Sequence, residues 1–201
     1  MEQLSQQEKD LIREKIMEKY DRVALSPGGC FRYPIGREGV RALGYPPELW
    51  QDLPDDVLAS FCGVGNPFSL GSVQPGEAVL DIGCGAGFDA FVAAKLAGPQ
   101  GRVVGIDITP AMVAKAKEHL RRVPVPQLVF QMGEAEALPF PDRDFDVVIS
   151  NGVLNLTLDK EKAVGEIYRV LKPGGRAMLA DMVLVEALPP DRERRIENWY
   201  Q

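Results

Sequence analysis

The residues Asp81-Ile82-Gly83-Cys84-Gly85-Ala86-Gly87-Phe88-Asp89 concentrate the candidate chemistry of this chain. They follow directly on a short β-rich run, so the glycines fall at the carboxyl end of a strand, where open α/β sheets bind ligands. Glycines there let the backbone approach a ligand closely and take tight-turn conformations. A second feature, Asp107, ends the next β-rich run, and a carboxylate in that place can accept hydrogen bonds from both hydroxyls of an adenosine ribose. Together the two predict a site for an adenosine-bearing cofactor. Nicotinamide dinucleotide folds share the glycine turn and the acid, but their fingerprint reads G-x-G-x-x-G. Gly83, Gly85 and Gly87 instead give G-x-G-x-G preceded by Asp81, and that spacing decides against a nicotinamide cofactor.

Other constellations are missing their parts. His119 is the single histidine and sits in a charged helical run (Lys115, Lys117, Glu118, Arg121, Arg122), where a solvated surface position is expected. Neither a serine hydrolase triad nor a histidine metal centre can be assembled from it. Cys30, Cys62 and Cys84 are widely spaced with no C-x-x-C pair, which argues for reduced thiols and against a disulfide framework or a zinc site. No metal is expected. The formal net charge of -6 gives no attraction to nucleic acid or anionic lipid. No stretch approaches the roughly 20 apolar residues of a membrane span and the polar start lacks the order of a signal peptide, so a cytoplasmic location is expected.

These residues need a scaffold. The chain has 201 residues, 45% of them hydrophobic, enough for one sizeable core, and one compact domain is expected overall. Ser5 and Glu8 resemble a capping box, after which Ile12, Ile16, Tyr20 and Val23 recur at helical spacing. Pro/Gly-punctuated pieces follow to Pro75, so residues 1–75 read as a helix and a loop-rich cap, and residues 76–201 as the α/β core. The core texture alternates five β-rich runs (78–82, 102–106, 128–132, 145–150 and 176–180) with helical segments near 89–96, 110–122 and 160–171. That alternation predicts a mainly parallel sheet with helices on both faces. Thr109-Pro110 reads as an N-cap with proline at the first helical position, and Pro173-Gly174-Gly175 as a helix stop. The charged segment 191–200 reads as a terminal helix.

The glycine segment with its leading Asp81 resembles the first motif of class I S-adenosylmethionine (SAM)-dependent methyltransferases, which have a Rossmann-like fold. The resemblance continues along the core: Gly105-Ile106-Asp107-Ile108-Thr109-Pro110-Ala111-Met112, Gly133-Glu134-Ala135, Asn151, and Val170-Leu171-Lys172-Pro173-Gly174-Gly175. It implies SAM as cofactor, with S-adenosylhomocysteine as product. It also implies that Asp81 orients the methionyl ammonium while Gly83, Cys84, Gly85 and Gly87 lie against the methionine part. Asp107 would then take the ribose, Ile108 and Met112 would pack on adenine, and Gly133, Glu134 and Ala135 would read the adenine edge. Asn151 would complete the set after the fourth strand.

Residues 134–142 (Glu-Ala-Glu-Ala-Leu-Pro-Phe-Pro-Asp) occur in both quinone-ring and arsenite methyltransferases. The chain is more similar to the arsenite family, through Gly65-Asn66-Pro67, Asp107-Ile108-Thr109-Pro110 and Ser150-Asn151 followed by Val153, Asn155-Leu156 and Asp159-Lys160. Two of that family's cysteines are replaced, by Val64 and Gly152. Cys30 and Cys62 stand as candidate substrate thiols, because trivalent arsenic is best held by several thiolates. The resemblance thus implies methyl transfer to a small-molecule acceptor. The alternatives are a quinone-type carbon or oxygen methyltransferase and a catalytically silent SAM-binding module. Class I methyltransferases usually finish the sheet with two more strands, which are expected to be missing here. A truncated chain, a homodimer sealing the fifth strand, or the terminal helix folding over it would each account for that edge.

Overall fold

The computed structural model describes residues 4–183 together with residues 185, 191, 194, 196, 197 and 199. Among these, five strands form one parallel sheet in the order β3-β2-β1-β4-β5: β1 (Ala78–Ile82), β2 (Arg102–Asp107), β3 (Leu128–Met132), β4 (Phe145–Asn151) and β5 (Leu171–Ala180). Each central strand is a run of Val, Ile and Leu because both of its faces are covered. Val79, Val103 and Val147 face one hydrophobic cluster, and their neighbours Leu80, Val104 and Val148 face the other. α4 (Phe88–Ala97) and α5 (Pro110–Arg122) cover the first face, where α4 buries Ala90, Ala93, Ala94 and Ala97 completely. These small side chains let the helix lie close to the sheet. On the opposite face, α6 (Lys160–Val170) buries Ile167 and Val170.

The strand runs read from sequence match the sheet closely, with one instructive difference in β5. Phe145 pairs with Leu171 but Val147 pairs with Arg176, so residues 172–175 bulge out of the ladder. Pro173 has no N–H to contribute, and Gly174 turns the chain at φ +82°. β3 and β5 are the two edges of the sheet among the described residues.

Ahead of the sheet, α1 (Gln6–Leu25) starts at the expected capping box: Glu8 N–H donates to Ser5 Oγ at 3.3 Å and Ser5 N–H to Glu8 Oε2 at 2.7 Å. Short helices α2 (Gly36–Ala42) and α3 (Asp55–Ala59) follow. α1 docks on α5, where Lys115 Nζ donates to Ala24 O at 2.6 Å and Val23 shares an apolar cluster with Met112. Most of segment 191–200, read as a terminal helix, lies outside the described residues. Within it Arg194, Ile196, Glu197 and Trp199 are helical, and Trp199 Nε1 donates to Leu156 O at 3.0 Å.

One local reading is corrected by the packing, and the N-cap reading of Thr109 holds with its side chain used differently. His119 is buried, at 1% exposure, because Met112, Ala116 and His119 share the inward stripe of α5 at i, i+4 and i+7. Its charged neighbours occupy the remaining faces of the same helix. Thr109 stands at the N-cap of α5 without a side-chain cap bond; its hydroxyl bonds the Asp107 carboxylate instead.

Candidate cofactor site

A cleft opens at the carboxyl ends of the strands, across the point where the strand order reverses between β1 and β4. This is the crevice in which open parallel sheets bind ligands. The turn after β1 forms its floor. Gly83 and Gly85 have φ of +68° and +52°, and Cys84 N–H donates to Ile106 O at 2.8 Å, which ties the turn to β2. At the end of β2, Asp107 Oδ1 accepts from Thr109 N–H at 2.8 Å and Oδ2 from Gly85 N–H at 2.9 Å. With the Thr109 hydroxyl bonded to it as well, the carboxylate is held rigidly on the cleft wall.

Asp81 is 2% exposed, and its Oδ2 is buried with no hydrogen-bond partner among the described residues. A buried carboxylate oxygen left in this way is costly unless it meets a donor. Burial pushes its carboxyl well up, assisted by the nearby charges of Asp89 and Asp107. Asp89, also buried, is pushed up to about 6 by desolvation, against the opposing pull of hydrogen bonds from Tyr45 and Asn151. Asp107 is raised by burial in spite of its backbone donors. Three acids, Asp81 and Asp89 buried and Asp107 partly so, crowd one cleft, an environment that favours a cationic ligand.

The raised acids make a prediction for the unliganded protein. Asp89 binds its proton more readily folded than unfolded, so its contribution is fully present below the unfolded value near pH 4 and is lost as pH rises through about 6, and Asp81 and Asp107 are shifted in the same direction. Asp52, Glu77, Asp146 and Glu166, whose carboxyls are lowered by partners such as Lys95, Arg176, Lys172 and Arg169, oppose this only below about pH 4. Thermal unfolding is therefore expected roughly 2–6 °C higher at pH 5 than at pH 7.5. An equal or lower midpoint at pH 5 would contradict the buried-acid arrangement.

Most of the residues singled out in the sequence meet here. Asp81, Gly83, Cys84, Gly85, Asp107 and Ile108 line the cleft, as do Met112, Gly133, Glu134, Ala135 and Asn151. Gly87 does not. It caps α4 at φ +100°, and a Cβ there would stand 2.6 Å from the Phe130 ring, so its place is a packing one. Cys84 is buried in the turn, and burial raises its thiol. Cys62 lies on the cleft wall, its thiol pushed up to about 12, first by burial and then by Asp107 and Asp89. Cys30 does not reach the wall; it packs near Cys62 beside Tyr20 and Phe31, and its Sγ contacts Ser26 O at 3.6 Å.

Asn151 acts mainly as a clamp. Its Oδ1 accepts from Val64 N–H at 2.8 Å and Gly65 N–H at 3.0 Å, while Nδ2 reaches Gly65 O and Asp89 Oδ2 at 2.8 and 2.9 Å. Tyr45 O–H completes the network by donating to Asp89 Oδ1 at 2.7 Å. Sequence reading missed Tyr45 and Asp89 in this role. It also missed α1, which brings Arg13, Ile16, Met17 and Tyr20 to the cleft. Arg13 bridges from α1 to Glu134 at 3.7 Å and Glu136 at 3.4 Å, and Glu136 in turn accepts from Leu158 and Asp159 N–H. The inward stripe of α1 was visible, but not the surface that it would cover.

Fold and site together define a Rossmann-like, class I methyltransferase architecture. A family model described as a methyltransferase domain matches residues 74–201, and the chain belongs to that family. It is 37% identical to an arsenite methyltransferase of Halobacterium salinarum over 193 residues, covering 89% of this chain and 49% of that one. It is 44% identical to a ubiquinone/menaquinone biosynthesis C-methyltransferase of an Enterobacter species over 111 residues, covering 54% and 44%. Among solved structures, an arsenic(III) SAM methyltransferase from Chlamydomonas reinhardtii superposes with a TM-score of 0.61 at 40% identity, over 74% of this chain and 50% of that one. The chain spans about half the length of the curated relatives it matches. No helix among the described residues is long and apolar enough to cross a membrane.

SAM suits this cleft on its own chemistry. Its ammonium would supply the donor that Asp81 Oδ2 lacks, its ribose would offer hydroxyls to Asp107, and its sulfonium would add a second positive charge among three acids. The open side of Gly85, where a Cβ would meet nothing within 4 Å, leaves the backbone accessible.

Proposed function

We propose that this chain is a SAM-dependent methyltransferase acting on a small, soft acceptor in the manner of the arsenite methyltransferases. The observation that carries the reading is the convergence of Asp81, Asp107 and the thiol-bearing Cys62 on one cleft. When bound, SAM supplies an electrophilic methyl group on a sulfonium whose departure leaves a neutral thioether. The chain's own residues then need to position rather than to protonate. Asp107 accepts from the ribose, Asp81 from the ammonium, and the turn at residues 83–85 supports the methionine part. Ile108 and Met112 form an apolar wall for adenine, beside Gly133, Glu134 and Ala135. Arg13 and Tyr20 from α1 help to exclude water, which suits an in-line displacement that depends on orientation. The one histidine is occupied beneath the glycine turn, so a histidine base is not part of the scheme.

The acceptor side differs from the arsenite pattern in a coordinated way. A Cβ at Gly152 would stand 3.3 Å from Val64 Cγ1, so the two positions where that family carries cysteines are neighbours. Their replacement removes two thiols from one spot, while Gly152 and Cys62 both line the cleft. Fewer thiolates therefore hold the acceptor here, and arsenite is one member of the acceptor class rather than its definition. Calorimetric titration with S-adenosylhomocysteine, with NADH as control, tests the cofactor. Saturable binding of the first alone is expected, and binding of neither would overturn the reading.

An acceptor screen with arsenite, small thiols and a quinol decides the rest. Cys62→Ser is expected to lower methylation of a soft acceptor by about tenfold or more while S-adenosylhomocysteine affinity stays within about twofold. Methylation of a quinol that ignores this substitution would favour the second reading, a carbon or oxygen methyltransferase. The similarity to the ubiquinone/menaquinone C-methyltransferase keeps that reading in view.

A further inference from the structure

His119 is the buried polar group that the scheme above leaves without a task. It occupies a core position on α5, in line with Met112 and Ala116, where an apolar side chain would pack without desolvation cost. Its Nδ1 lies 2.9 Å from Ala86 O, in the middle of the glycine turn. A carbonyl only accepts, so Nδ1 carries the proton and donates. The rest of the turn is anchored elsewhere: Cys84 N–H to Ile106 O, Gly85 N–H to Asp107 Oδ2, and Gly87 N–H to Cys84 O. The Ala86 carbonyl is held by the imidazole.

The second ring nitrogen faces the residues ahead of the sheet. Nε2 lies 3.9 Å from Asp56 Oδ2 on α3, and the same carboxylate pairs with Arg122 one turn along α5. Asp56 Oδ1 accepts from Val57 N–H at 3.1 Å, which fixes the carboxylate on its own helix. The imidazole thus lies between α3 and the cofactor turn, bonded to the turn and only near the Asp56 carboxylate.

We propose that His119 is a positioning residue: by donating to Ala86 O it sets the shape of residues 85–87. The proposal rests on the cofactor reading for its effect on binding, but not for its effect on the turn. Three variants test it: His119→Leu, His119→Asn, whose amide Nδ2 can take the place of Nδ1, and Val113→Ala as a buried control on the same helix. Each is followed by S-adenosylhomocysteine titration, thermal unfolding and amide hydrogen exchange of residues 84–88.

His119→Leu is expected to raise Kd about tenfold and to speed exchange in the turn, whereas His119→Asn stays within about threefold of the parent. Val113→Ala lowers the unfolding midpoint but leaves both Kd and turn exchange near parent values. Turn exchange in His119→Leu indistinguishable from that in Val113→Ala would overturn the proposal, as would an asparagine variant no better than leucine. If the parent protein binds no S-adenosylhomocysteine, the cofactor reading falls, and turn exchange in the same variants still decides the role of His119.

Discussion

Asp107→Ala is expected to weaken S-adenosylhomocysteine binding by about 1.5–3 kcal/mol, roughly 10- to 150-fold. The side chain does two things at once. Both oxygens already accept backbone N–H groups, from Thr109 and Gly85, so the carboxylate pins the start of α5 to the glycine turn. In the proposed function the same carboxylate also accepts from the ribose. Alanine removes the ligand contacts and leaves two enclosed N–H groups without their acceptor, which loosens the turn that the ligand must meet. Asp107→Asn keeps one acceptor oxygen and fills the same space, so it should fall between the parent and the alanine variant. Calorimetry on the three proteins checks the order. Equal affinity for parent and alanine variant would remove Asp107 from the site.

Gly83→Ala should have a larger effect, because it acts on the fold as well as on the ligand. At φ +68° an L side chain is strained, and a Cβ would stand 2.2 Å from Val153 Cγ2 and 2.8 Å from Cγ1. The left-handed backbone costs about 1–2 kcal/mol and the forced contact typically about 1–3 kcal/mol more. A β-branched valine has little freedom to rotate aside. A lowered unfolding midpoint and loss of measurable S-adenosylhomocysteine binding are expected together. Adding Val153→Ala should recover the steric part of the stability loss and leave the backbone part. If the double variant is no more stable than Gly83→Ala, the contact with Val153 is not what excludes a side chain at position 83.

Both predictions concern residues recognisable from spacing, and the reason is local. Asp81, the glycines and Asp107 lie at the ends of strands whose apolar runs are short and sharply bounded, so a parallel sheet places them side by side once β1 and β2 pair. The capping box of Ser5 and Glu8 was legible for the same reason, since cap and helix are separated by three residues. His119 was misread although its signal was present. The i, i+4, i+7 stripe with Met112 and Ala116 ran through a charged segment, and the charges on the other faces of α5 outweighed it.

Local pattern by itself therefore determined the strand runs, the helix that opens the chain, the parallel architecture and the acids that line the cleft. Tertiary packing alone decided what surrounds them. Tyr45, Asp89 and Asn151 form one buried network across separations of 44, 62 and 106 residues. Val64 and Gly152 turn out to be neighbours, Gly87 is withdrawn from the cleft by Phe130, and α1 supplies part of the cleft wall. Periodicity reports which face of an element is apolar, but not which distant element will cover it. That choice is made by side-chain volume and by the need to satisfy every buried polar group, and both exist only once the chain has closed on itself.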